Sequence, residues 1–255
     1  MCRWIAYRGR PIFLETLLFE PENSLISQSL RCRNADVMTN GDGFGIGWYG
    51  ERDTPGIYRE TLPAWNDRNL RSLAHHISSP LFFGHVRAST GTATARINCH
   101  PFQHEKWLFM HNGQIGGYER VRRRLDQLLP DDLYALRQGT TDSEFFFYLL
   151  FANGLERDPV AALAASVAQV EDVMRANAVD EPFRLTAALT DGARIIAIRY
   201  ASDGKPPSLY WCGRGDRLMI VSEPLDAEAH QWNDVPAGHV LVAETDVRTA
   251  PFAAG

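Results

Sequence analysis

Phe183-Arg184-Leu185-Thr186-Ala187-Ala188-Leu189-Thr190, the break Asp191-Gly192, and the run Ala193 to Ala201 read as two strands joined by a turn. Short apolar and β-branched runs suit strands, and Asp-Gly supplies turn chemistry. The rhythm continues downstream. Ser208 to Cys212, Arg217 to Ser222 and His239 to Glu244 are further strands, with Asp203-Gly204-Lys205-Pro206-Pro207 and Gly213-Arg214-Gly215-Asp216 as breaks. Upstream the period becomes helical. Pro159 to Ala176 is alanine-rich and long, and Asp142 opens the apolar run Phe145 to Phe151 that ends near Gly154. Gln114 to Leu129 keeps helical spacing up to Pro130, and Asp67 to Ile77 forms a helix capped by Asn66 or Asp67. A short helix is expected around Leu14 to Phe19. Strands are expected at Met1 to Tyr7, Phe44 to Tyr49 (after the turn Thr39 to Gly43), Leu81 to Ala88 and Lys106 to Met110. Strands, then contiguous helices, then strands again is not the alternation of a parallel sheet. It predicts an α+β fold: two antiparallel sheets with helices on their outer faces.

Composition narrows the function classes. Among 255 residues, 26 Lys and Arg face 31 Asp and Glu, a net charge of −5. No basic excess exists to neutralise phosphates, so no nucleic-acid partner is expected; the basic run Arg120, Arg122, Arg123, Arg124 reads as a solvated helix face. No apolar stretch reaches the roughly 18 residues of a membrane span. Arg3, Arg8, Arg10 and Glu15 interrupt any hydrophobic leader. Four cysteines stand without C-x-x-C spacing, a pattern for a reducing compartment. A cytoplasmic location with no membrane partner is the expectation.

Cys2 is the first residue that carries chemistry. Once Met1 is removed, it would hold a thiol and a free α-amine on one residue. That amine, with an ordinary pKa of about 7.7 to 8.0, can take the thiol proton near neutral pH. The alternative is an incidental buried cysteine. Gly84-His85-Val86-Arg87-Ala88-Ser89-Thr90-Gly91 ends a strand in a guanidinium and hydroxyls; Arg87 could hold a carboxylate through two parallel bonds or serve as an ion-pair partner. Phe109-Met110-His111-Asn112-Gly113-Gln114 ends a strand in Asn-Gly, either two oxyanion donors or a plain turn. Gly139-Thr140-Thr141-Asp142-Ser143-Glu144 puts Asp142 at a helix start, to pair with a substrate ammonium or to cap the helix. Trp48, Trp65, Trp107 and Phe102 fit an acceptor pocket or the core. Of the histidines, His100 and His104 are separated by Pro101, and no carboxylate stands at ligand spacing. Neither a metal nor another cofactor is expected.

Taken together and in this order, these residues resemble the glutaminase domain of class II glutamine amidotransferases, members of the N-terminal-nucleophile hydrolases. The resemblance rests on Met1-Cys2, Gly84 to Thr90, Asn98-Cys99-His100-Pro101, His111-Asn112-Gly113 and Asp142-Ser143-Glu144. It implies a four-layer α-β-β-α sandwich, with residues 1–255 forming one type 2 domain. Cys2 would be the nucleophile, and Asn112 with Gly113 the oxyanion hole. Arg87 would bind the α-carboxylate of the substrate and Asp142 its α-ammonium. Thr90 would support the Arg87 loop, with His100 and His111 also in the substrate site. The segment Asn40 to Tyr49 looks more like the short stand-alone branch, similar to the γ-glutamyl hydrolases of ergothioneine synthesis and the amidotransferase-like proteins of glutathione degradation. That implies hydrolysis of glutamine or a γ-glutamyl compound through a γ-glutamyl thioester. The alternative is a glutaminase subunit feeding ammonia to a separate synthase; a synthase or peptidase partner belongs to that expectation. Were Met1 retained, the amine would lie one residue away and the fold could serve only for binding.

Overall fold

The computed structural model describes residues 2–30, 40–88, 93–228 and 231–253. Its first strand, β1 (Arg3–Phe13), opens with five consecutive buried residues, as expected for a strand covered on both faces. The strand's twofold period deals those side chains to two different cores. Ile5 and Tyr7 enter a cluster under the helices α1 (Glu15–Leu18), α2 (Leu25–Leu30) and α3 (Arg68–His76), whereas Trp4 and Ala6 enter a second cluster facing another sheet. β4 (Ser78–Val86) divides likewise, Phe82 and Val86 to the helices and Leu81 and Phe83 to the sheet interface.

Both strands lie in a seven-stranded sheet. Its other members are β2 (Phe44–Trp48), β3 (Gly56–Glu60), β9 (Tyr210–Arg214), β10 (Arg217–Val221) and β11 (Asn233–Asp234), in the order β11-β9-β10-β1-β4-β2-β3. A six-stranded sheet stacks against it. This sheet holds β5 (Phe102–His104), β6 (Trp107–Gln114), β7 (Arg184–Thr190), β8 (Ile195–Ala201), β12 (His239–Ala243) and β13 (Val247–Pro251), in the order β13-β12-β8-β7-β6-β5. Every pairing among the described residues is antiparallel. In β6 the alternation repeats: Leu108 and Met110 face the first sheet, Trp107 and Phe109 a third cluster on the outer side. That outer side is covered by α4 (Tyr118–Asp126), α6 (Asp142–Ala152) and α7 (Pro159–Ala176), with α5 (Asp131–Leu136) packed on α6. The result is the α-β-β-α sandwich. α6 is buried without interruption from Ser143 to Leu150, as an all-round apolar helix must be; Phe147 stacks on Phe109 at 5.4 Å.

Some expected boundaries move. Asn112-Gly113 is not a turn but the continuation of β6, paired with Thr186 and Leu185 of β7. The helix expected from Gln114 starts at Tyr118 and ends at Asp126, because Gln114 is still in the ladder and Gly116-Gly117 resist helix. β1 runs on to Phe13, past a register shift between Arg8 and Ile12. Asp67 does cap α3, accepting the Leu70 N–H at 2.7 Å.

The chain's first residues are pinned by a buried ion pair. Arg3 Nε donates to Glu223 at 2.8 Å, both side chains being almost fully buried. Arg3 Nη1 also donates to the Cys2 carbonyl at 3.1 Å, and the Trp4 N–H donates to Ser222 Oγ at 2.9 Å. Removing one partner of such a pair costs about 3–5 kcal/mol. Cys2 is thus fixed at the mouth of β1, where β4 ends and, across the sheet interface, β6 ends too.

Candidate active site

The residues singled out by sequence meet at that point. A cavity of about 160 Å³ is lined by Cys2, Arg87, His100, His111, Asn112, Gly113 and Asp142. Of the expected site residues only Thr90 falls outside the described residues, as does Met1. The wall also includes Ala88, Gln114, Thr141, Ser143, Arg184 and Pro207, to which the sequence assigned no role.

Cys2 Sγ accepts the Ala88 N–H at 3.4 Å and lies 3.6 Å from the Ala88 carbonyl. Burial pushes the thiol above its ordinary pKa, with the Ala88 N–H and the charges of Arg87 and Arg3 pulling the other way. The thiol is therefore held protonated, and only a nearby base would make it a nucleophile. Arg87 follows β4 and is itself buried. Its N–H donates to the Gly43 carbonyl at 2.8 Å, its carbonyl accepts from the Asp42 N–H, and Nη1 reaches the Asp42 carbonyl at 3.3 Å. The close approach of β2 to the turn at His100 explains Gly45: a Cβ there would lie 2.2 Å from the His100 carbonyl oxygen.

Asn112 is buried and its amide makes no side-chain hydrogen bond among the described residues, so its donors stay uncommitted at the cavity wall. Gly113 has φ of +149°, a backbone that side chains disfavour. The segment before α6 is held by two side chains. Glu144 accepts from the Gln138 and Gly139 N–H groups at 3.0 and 2.7 Å, and Asn98 Oδ1 accepts from Thr140 N–H at 3.0 Å. Thr141, not Asp142, is the N-cap, accepting the Glu144 N–H at 3.1 Å. The spacing Thr141-x-x-Glu144 is a capping-box signature. Asp142 is thereby released to the site, where Oδ2 takes the Ile115 N–H at 2.8 Å.

Three buried histidines surround this floor. His111 Nε2 must donate to the Arg184 carbonyl (3.0 Å), since a carbonyl only accepts. Burial holds the ring below its ordinary pKa, against the pull of Asp142 and of the Arg184 carbonyl. The neutral ring then accepts the Ser143 hydroxyl at Nδ1, 2.9 Å away. His85 donates to the His111 carbonyl at 3.3 Å, lies tilted against the His100 ring at 4.3 Å, and is pushed by burial down to about 3. His100, whose ring nitrogens have no partner among the described residues, is held well below its ordinary value, again chiefly by burial.

The folded state thus keeps three rings uncharged that the unfolded chain protonates near pH 6.5. The associated stability is complete above about pH 6.5 and drains as pH falls toward the folded values, by up to about 1.4 kcal/mol per pH unit for each ring. A urea midpoint that falls between about pH 7 and pH 5, before most carboxylates titrate, is the expected outcome. An unchanged midpoint over that range contradicts it.

The aromatic residues weighed for an acceptor pocket belong to the core: Trp107 and Phe102 lie behind the second sheet, Trp48 and Trp65 pack under the first sheet's helices. Among the described residues no group of three or more His, Cys, Asp or Glu is arranged to hold a metal ion, and no helix is long and apolar enough to cross a membrane.

Known proteins resemble this chain in sequence and fold. Residues 19–203 match the family model of glutamine amidotransferases class-II. The chain is 33% identical to the probable glutamine amidotransferase DUG3 of Saccharomyces cerevisiae, over 94% of this chain and 81% of that protein. It is 29% identical to the gamma-glutamyl-hercynylcysteine sulfoxide hydrolase of Mycolicibacterium smegmatis, over 98% of this chain and 97% of that one. The structure of a glutamine aminotransferase class-II domain protein from Silicibacter pomeroyi superposes with a TM-score of 0.80 at 38% identity, over the whole of both chains. Likeness of that extent runs through both sheets and into the helix that carries Asp142: the chain belongs to the class-II glutamine amidotransferases.

Proposed function

We propose that this protein, its residues 1–255 acting as one domain, is an N-terminal cysteine amidohydrolase that cleaves the γ-amide of glutamine or of a γ-glutamyl compound. One observation carries the reading. A single cavity is walled by a thiol, a buried guanidinium, a carboxylate and an uncommitted amide beside a glycine, namely Cys2, Arg87, Asp142, Asn112 and Gly113. These are the groups that a γ-glutamyl substrate requires.

Arg87 takes the α-carboxylate and Asp142 the α-ammonium, which fixes the γ-carbonyl against Cys2. Removal of Met1 frees the α-amine of Cys2, which takes the thiol proton as sulfur bonds to the carbonyl carbon. The oxyanion rests on the Asn112 amide and the Gly113 N–H. As the C–N bond breaks, the ammonium returns its proton to the departing amine, leaving a γ-glutamyl thioester. Water, deprotonated by the same amine, then attacks; the S–C bond breaks, the thiolate is reprotonated and glutamate leaves. A thiol that burial holds protonated calls for a base, a role open to an α-amine on the same residue, and four cysteines without C-x-x-C spacing support a cytoplasmic location.

The names of two relatives, an amidotransferase and a γ-glutamyl hydrolase, support turnover of the γ-amide. The test is a panel of glutamine, glutathione and simple γ-glutamyl amides, run on protein whose intact mass reports the loss of one methionine. Glutamate release from at least one member by the processed form is the expected result. If fully processed protein cleaves none, the reading fails. Glutamine hydrolysis that appears only on adding a synthase or peptidase partner favours the ammonia-supplying alternative.

A further inference from the structure

We infer that Arg184 recognises a carboxylate on the leaving amine, so that the preferred substrates are γ-glutamyl conjugates of amino acids or peptides rather than glutamine. This rests on the γ-glutamyl hydrolase reading above. Arg184 opens β7 and lines the cavity that holds Cys2. Its main chain is fixed by His111 and by pairing with Gln114 of β6, so the base of the side chain is held still. At the tip, Nη2 donates to Asp203 Oδ2 at 2.7 Å. Asp203 is not among the residues that line the cavity and engages one of the three guanidinium nitrogens, which restrains the fork.

Charge decides the ligand class. A glutamyl head carries one carboxylate and one ammonium, which Arg87 and Asp142 match one for one. Arg184 is a second cation on the same wall, met by Asp203 at Nη2 alone, and glutamine, which departs as ammonia, has no carboxylate to offer the rest of the fork. A conjugate whose amine bears a carboxylate does, and the planar fork suits that group. Exposure gives the orientation. Arg87 is 4% exposed, whereas the Arg184 side chain is 39% exposed and its strand neighbour Gln114 is also exposed. The doubly charged head enters first, toward the buried cation, and the departing part faces the open side where Arg184 stands.

The test compares γ-glutamylglycine with γ-glutamylmethylamide, which lacks the carboxylate, on processed wild type and on Arg184→Gln. Wild type is expected to favour the glycine conjugate by about 10- to 100-fold in kcat/KM, as befits a hydrogen bond between charged groups. Arg184→Gln keeps every main-chain contact; it is expected to erase that preference, mainly through KM, and to leave the methylamide within about threefold. Arg184→Lys, with the charge but not the fork, recovers part of the preference. Equal losses on both substrates, or a wild type without preference, overturn the assignment of Arg184 and leave the hydrolase reading standing. A processed wild type that cleaves neither substrate removes both.

Discussion

Cys2→Ala is expected to lose amide hydrolysis by at least about 10⁴-fold, because the covalent route disappears with the sulfur. The substitution is selective. Alanine at the second position still permits removal of Met1, so the α-amine survives and only the proposed nucleophile is lost. Among the described residues Sγ hydrogen-bonds only with Ala88, while the residues that pin β1 are Arg3 and Trp4. Stability should therefore change by no more than about 1 kcal/mol. Arg87 and Asp142 are untouched, so the alanine protein should still bind a γ-glutamyl ligand, measurable by calorimetry without turnover. Cys2→Ser should fail as well, since the same amine faces a far less acidic hydroxyl. The measurement is glutamate release under single-turnover conditions, beside a thermal melt. Turnover by Cys2→Ala at the wild-type rate would end the mechanism, whatever the substrate.

The sandwich was legible in sequence where strands are covered on both sides. Trp4 to Tyr7, Leu81 to Val86 and Leu185 to Leu189 are apolar runs because the odd and even residues enter different cores. Edge strands carry no such signature. β3 is half-buried along its whole length and β5 has three residues, so neither announces itself by pattern. The end of β6 is hidden from a pattern reading for a local reason: His111-Asn112-Gly113-Gln114 is polar where it lines a cavity, and polar residues after a strand look like a turn. The site shows the same division. Cys2, Arg87, Asn112 and Asp142 could be singled out because the chemistry needs those residue types within local motifs. Glu144 and Thr141 could have been read from the capping-box spacing. Arg184 could not. It is the first residue of an ordinary strand, and it reaches the cavity only because that strand pairs with Gln114, far away in sequence.

Among the described glycines, Gly113→Ala should be the most damaging substitution. A Cβ at this position would lie 1.9 Å from the Arg184 carbonyl oxygen and 2.7 Å from both the Arg184 carbonyl carbon and His111 Nε2. None of these is the loose end of a flexible side chain. The carbonyl belongs to the β6–β7 ladder and accepts the His111 proton, so relief requires the two strands to part where they carry Asn112 and Arg184. The φ of +149° adds a conformational cost. Together these should destabilise the fold by about 3 kcal/mol or more. Where the variant still folds, displacement of the proposed oxyanion donors should lower kcat by about 10²- to 10³-fold, with a smaller change in KM. Gly50→Ala is the matched control: a Cβ there meets nothing within 4 Å, so stability should stay within about 1 kcal/mol of wild type. Urea denaturation gives the first quantity and steady-state kinetics the second. Wild-type stability and turnover in Gly113→Ala would mean that this glycine neither shapes the ladder nor holds an oxyanion donor, and the proposed site would lose one of its two donors.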